Sequence, residues 1–173
     1  MRIAIDLQGL QSEGSRSRGI GRYSLEIIRT LIQCRNDISF VLVGNAALQN
    51  LENEFTNQLK LKNVSYFEWF APCPVDYISK NDYLYELGLY LRSYAFSCLH
   101  IDLIILTSFI EGFSDNCLIE FDNDILNAKV LSIFYDLIPL LNPKLYFTDN
   151  PEFEDFYKIK LKRLKELDGL LAI

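Results

Sequence analysis

Apolar positions change their period several times along this chain, and each change marks an element. Arg2–Asp6 is a short β-branched run that ends on an acid and predicts a first strand. A polar loop, Gln8–Arg18, rich in Ser, Gly and Arg, follows it. From Gly19 the spacing turns helical through Tyr23, Ile27, Ile28 and Leu31, predicting a helix to Cys34. Ile38–Val43 reads as a second strand that stops at Gly44-Asn45. Leu48, Leu51, Phe55 and Leu59 give Ala46–Lys62 the pattern of a polar helix with one apolar side. Val64–Trp69 is a third strand, closed by Ala71-Pro72-Cys73-Pro74, where two prolines exclude regular structure. Asn81–Leu99 reads as a long helix dense in Tyr and Leu. Ile101–Leu106 and Lys129–Phe134 are continuous apolar strands, the mark of a parallel sheet covered on both faces. Pro151–Leu167 predicts a last helix, and Gly169–Ile173 another strand.

Strands alternating with helices define the fold class: α/β, a doubly wound, mostly parallel sheet with helices on both faces. The 173 residues suit a single domain. Leu170-Leu171-Ala172-Ile173 is an apolar strand without a polar tail, and the expectation is a domain from a longer protein.

Charge and composition remove several function classes. A net charge of -6 disfavours nucleic acid as a partner, since such binders carry a basic surplus. The basic cluster Lys158, Lys160, Lys162, Arg163 and Lys165 alternates with leucines and reads as one solvated helix face. Cys34, Cys73, Cys98 and Cys117 are scattered and His100 is the single histidine, so no metal-ligand spacing exists and no metal is expected. The cysteines read as buried free thiols in a cytoplasmic protein. His100 precedes a strand, at the amino pole of the sheet, which disfavours a hydrolase triad. Trp69 and the tyrosines of Asp82–Tyr94 read as packing residues.

Ligands of open α/β sheets bind at the carboxyl ends of strands, and three segments sit there. Gly19 and Gly21 open a helix and are either structural or part of an anion site, since backbone N–H groups and the helix dipole favour an anion there, with Arg16, Arg18 and Arg22 at hand. The third glycine of a dinucleotide fingerprint is replaced by Ser24, which counts against a nicotinamide enzyme. Glu111, in Thr107-Ser108-Phe109-Ile110-Glu111-Gly112-Phe113, is either a sugar-hydroxyl ligand or a solvated loop acid. Asp136, in Tyr135-Asp136-Leu137-Ile138-Pro139, is either a loop-fixing group or a ligand contact.

Taken in order, Ile5-Asp6-Leu7-Gln8-Gly9, Ser17-Arg18-Gly19-Ile20-Gly21-Arg22-Tyr23, Glu111-Gly112-Phe113, Tyr135-Asp136-Leu137-Ile138-Pro139-Leu140 and Asp168-Gly169-Leu170-Leu171-Ala172-Ile173 resemble the N-terminal domain of GT4 glycosyltransferases. These are retaining enzymes of the GT-B fold, including many mannosyl- and rhamnosyltransferases. The resemblance implies an acceptor-side domain that is inactive without a second domain holding the nucleotide-sugar and a Glu-x7-Glu element, a spacing this chain lacks. It implies that Gly19, Gly21 and Arg22 face the donor phosphates, that Asp136 is catalytic, and that Glu111 and Tyr135 contact the acceptor or sugar. Many relatives carry His where this chain has Tyr135, which cannot accept a proton near neutral pH as His does. The implied partners are a nucleotide-sugar donor and a glycan or lipid-linked acceptor of surface polysaccharide synthesis, with no cofactor. With a lipid-linked acceptor the full-length protein would associate peripherally with the inner face of the membrane. The rival reading is a freestanding α/β binding or regulatory domain.

Overall fold

The computed structural model describes residues Met1–Ile173. In chain order the elements are β1 (Arg2–Asp6), α1 (Gln8–Gln11), α2 (Gly19–Cys34), β2 (Ser39–Asn45), β3 (Val64–Trp69), α3 (Asp82–Cys98), β4 (Leu103–Leu106), β5 (Lys129–Phe134), α4 (Ile138–Leu141), α5 (Pro143–Tyr146), α6 (Pro151–Leu164) and β6 (Gly169–Ala172). The six strands are all parallel, in the order β3-β2-β1-β4-β5-β6. The order reverses between β1 and β4, which is where such sheets open a crevice.

Strand side chains alternate between faces, and the core accordingly divides in two. Ile3, Ile5, Phe40, Leu42 and Ile105 face one way and meet Ile28 and Ile32 of α2. Ala4, Val41, Val43, Ile104, Leu106 and Val130 face the other, against Phe96 of α3 and Leu164 of α6. The continuous apolar strands therefore report cover on both sides, as expected from the sequence. Asn81 and Asn150 cap α3 and α6 by accepting from Leu84 N at 3.2 Å and Phe153 N at 3.1 Å.

Four expectations need correction. Ala46–Lys62 is not an α-helix but two 3-10 turns, Glu52–Phe55 and Gln58–Lys60. Local side chains compete for its backbone: Asn45 Oδ1 accepts from Ala47 N and Asn50 Oδ1 from Glu52 N. Its apolar period still reports burial, since Leu51 and Phe55 lie in the core. Three of the cysteines, Cys34, Cys73 and Cys98, are exposed, and Cys117 alone is buried. Cys34 and Cys98 are the last residues of α2 and α3.

The basic face of α6 is not uniformly solvated. Lys158 is exposed and pairs with Glu154, but Lys160 is buried and pairs with Glu120 Oε1 at 2.8 Å. Burial pushes the Glu120 carboxyl up, but Lys160 and Arg163 outweigh it and hold it below its ordinary value. Finally, Trp69 packs in the core as expected, whereas Tyr83, Tyr90 and Tyr94 of α3 are exposed. No helix is long and apolar enough to cross a membrane.

Candidate functional site

Buried polar groups fill the switch point beneath the crevice. Asp6, at the end of β1, is ion-paired with Arg92 of α3, and both are out of contact with solvent. Asp6 Oδ1 also accepts from Gln8 N at 2.8 Å. Gln8 Nε2 donates to Leu118 O at 2.7 Å, and its Oε1 accepts from Leu118 N at 2.9 Å and Asn45 Nδ2 at 3.1 Å. The Arg92 guanidinium lies 4.2 Å from the Phe121 ring centroid and 4.8 Å from that of Phe96. Those faces stand in for hydrogen bonds that its Nε and Nη1 lack. This network ties β1, β2, α3 and the segment after β4 into a rigid floor.

Above it, at the carboxyl ends of β4 and β5, lies a cavity of 410 Å³. Its walls come from the loops holding Ser15, Glu111 and Asp136, with an aromatic side from α5 and α6. The structure thus brings Glu111, Tyr135 and Asp136 together around one cavity. Arg18 lines the cavity, whereas Gly19, Gly21 and Arg22 lie outside its lining.

Each of these residues is fixed by identifiable partners. Glu111 is buried, and its Oε1 accepts from Ser15 Oγ at 2.6 Å. Gly112 beside it has φ +90°, and a Cβ there would collide with the Cys117 carbonyl oxygen. Tyr135 is half-buried. Its hydroxyl lies 2.6 Å from Ser24 Oγ and donates to Thr107 O at 3.0 Å. That hydroxyl therefore fastens the end of β5 to α2. Ser24, in the place of a third fingerprint glycine, is buried against the same carbonyl at 3.3 Å. Asp136 is exposed, and its Oδ1 accepts from Ile138 N at 2.9 Å, which fixes the loop into α4. At α2 the Gly21 N–H donates to Ser15 O at 3.1 Å. A Cβ on Gly21 would overlap the Arg16 carbonyl, so this glycine permits a close backbone approach. Gly19 is exposed with open space around its Cα.

The aromatic side was missed at the sequence level. Phe153, Phe156 and Tyr157 lie at i, i+3 and i+4 on α6, and that spacing was the available signal. Tyr157 is buried, its hydroxyl has no partner, and burial first, then the Asp136 charge, pushes its pKa up to about 12. It is thus a neutral donor at any physiological pH. Carboxylates, hydroxyls and aromatic faces converging on one cleft suit a polyhydroxylated ligand.

Glu111 gives the cavity a pH signature. Its pKa is raised, chiefly by burial, against hydrogen bonds from Ser12, Ser15 and Ser108, with Asp115 adding to the rise. A carboxyl raised in the fold binds its proton more tightly there than in the unfolded chain. Protonation therefore favours folding, and stability is lost as pH rises above the unfolded value of about 4.3. Glu111→Gln should be more stable than the wild type at pH 7, with the difference shrinking as pH falls toward 4. Thermal melts of both proteins across that range check it, and a difference that widens toward acid refutes it.

Comparison with known proteins adds a direction to this geometry. No family model matches the chain, and no solved structure matches it. It is 31% identical over 178 aligned positions to the serotype-specific mannosyltransferase WbdA of Escherichia coli, covering 100% of this chain and 21% of that protein. Two further proteins of that name from Escherichia coli match 47% of the chain at 35% identity and 79% at 26% identity. The chain spans about a fifth, or less, of the length of these relatives. Along its whole length, this chain is similar to one segment of a mannosyltransferase.

Proposed function

We propose that this chain is the acceptor-side domain of a glycosyltransferase of the GT-B type, a GT4-like enzyme that transfers a hexose during surface polysaccharide synthesis. The carrying observation is the cavity at the ends of β4 and β5, where Glu111, Asp136 and the Tyr157 hydroxyl converge beside an aromatic wall. The similarity to a mannosyltransferase segment supports the same reading and favours mannose as the sugar. The donor would be a nucleotide-sugar held mainly by a second domain, and the acceptor a glycan or a lipid-linked glycan. Alone, the chain would bind acceptor but not transfer.

Roles follow from position. Asp136 Oδ2 remains free after Oδ1 has fixed the loop, so it would lie against the transferred sugar. Glu111 and Tyr157 would bond acceptor hydroxyls, with the Tyr135 ring completing the wall. Gly19 and Ile20 begin α2 without partners for their N–H groups, and Gly21 permits the tight approach to that helix start. Donor phosphates would meet those N–H groups, with Arg22 and Arg18 supplying charge. Catalysis would rest on positioning and charge stabilisation.

Asp136→Ala in the full-length protein tests this reading. Sugar transfer should fall at least about tenfold, a change of roughly 1.4 kcal/mol in the barrier, with an unaltered circular dichroism spectrum. Turnover within twofold of wild type removes Asp136 from the site.

A further inference from the structure

A second cavity, of 470 Å³, lies on the α3–α6 side of the molecule. It is separate from the cavity described above, but Gly112 and Phe156 line both. Its floor holds Glu120, buried, with Oε1 bound to Lys160 at 2.8 Å and Oε2 without any partner. An unpartnered buried carboxylate oxygen is costly, and a donor arriving from a ligand would satisfy it. Lys160 has N–H capacity beyond its one bond to Glu120.

Charge balance argues against an anion here. Lys80 is neutralised by Glu152 at 2.6 Å, and Lys160 and Arg163 share Glu120. Asp82 and Glu86 add further acid to the lining. Tyr77, part-exposed, supplies aromatic surface and packs on buried Phe156 with ring centroids 5.4 Å apart. Lys80, between Tyr77 and α3, has φ 49°, a left-handed backbone that a non-glycine residue rarely adopts and that concentrates at ligand sites. Aromatic faces beside paired donors and acceptors with no free cation suit a neutral polyol.

We propose that this cavity is a second carbohydrate subsite, holding a neutral sugar unit of a glycan, with Glu120 and Lys160 bonding its hydroxyls and Tyr77 against it. The choice of mannose as the sugar rests on the transferase reading above. The subsite itself does not, because it stands on geometry outside the acceptor cavity.

Calorimetric titration of the protein with mannotriose tests it, using three variants. Glu86 is exposed at the rim, so Glu86→Trp blocks the mouth without touching the core. Glu120→Gln tests the floor directly, and the rim variant carries the test if that substitution unfolds the chain. Glu111→Gln perturbs the acceptor cavity alone. Mannotriose binding that persists in E111Q, whose acceptor cavity is perturbed, and that E86W weakens at least tenfold supports the subsite. Binding lost in E111Q and unchanged in E86W overturns it while favouring the acceptor cavity. Absence of binding at millimolar mannotriose also overturns it. The transfer activity of Asp136→Ala judges the transferase reading independently.

Discussion

Arg92→Met should cost the fold roughly 3–5 kcal/mol, the penalty for stranding one member of a buried ion pair. Arg92 and Asp6 are both removed from solvent, so neither charge has water to fall back on. Burial lowers the Arg92 pKa, and the charge and hydrogen bond of Asp6 oppose that shift. Removing the guanidinium leaves Asp6 facing Trp69, Phe96 and Phe121, the rings that now surround the cation. It also removes the bond from Arg92 Nη2 to the Ile119 carbonyl at 3.2 Å. Methionine fills much of the volume, so the loss reads out charge more than cavity. Adding Asp6→Asn removes the stranded charge and keeps an acceptor for Gln8 N, so the double variant should recover more than half of the deficit. Urea unfolding measures both. A single-variant loss below about 1 kcal/mol would show that the pair is not a keystone of the floor.

That keystone explains what the sequence could and could not convey. The strands and the two-sided core follow from apolar runs such as Ile104–Leu106, whose continuity reports cover on both faces, whereas the strand order comes from the fold. Arg92 carries no such signal, because it stands among Tyr90, Leu91 and Ser93 on a helix, where a lone charge normally meets water. Its partner Asp6 is remote in sequence, and only the crossover from β3 through α3 to β4 brings them together. Lys160 was misread for the same reason, since Glu120 lies in the irregular segment between β4 and β5. The site was legible in part. Glu111 and Asp136 follow strands directly, so topology alone places them at one edge. The aromatic wall comes from α6, which follows β5 and must fold back over the crevice before Phe153 and Tyr157 can reach it. No local pattern encodes that return.

Gly112→Ala should cost about 3 kcal/mol, whereas Gly19→Ala should be close to neutral. Both glycines belong to segments singled out from the sequence, yet their surroundings differ. Gly112 sits at φ +90°, where an L side chain is strained, and its added Cβ would strike the Cys117 carbonyl oxygen, a backbone atom that cannot rotate away. The strain reaches the site through neighbours on both sides. Gly112 O accepts from Tyr77 N at 3.0 Å, and Phe113 O accepts from Ile78 N at 3.2 Å, so a shift here pulls on the loop before α3. Glu111 precedes it in the chain, so its Ser15 bond should weaken too. Gly19, by contrast, is in the first turn of α2 with nothing within 4 Å of its added Cβ. Alanine there favours the helix and restricts the unfolded chain, and it leaves the backbone N–H in place. Thermal melts rank the two variants, and ligand binding separates their functions. Gly112→Ala should weaken glycan binding at both cavities, because that residue lines each. Gly19→Ala should leave acceptor binding unchanged. A Gly112→Ala protein as stable as wild type would mean that the segment after β4 yields at Cys117, and the strain assigned to Gly112 would then have to be given up.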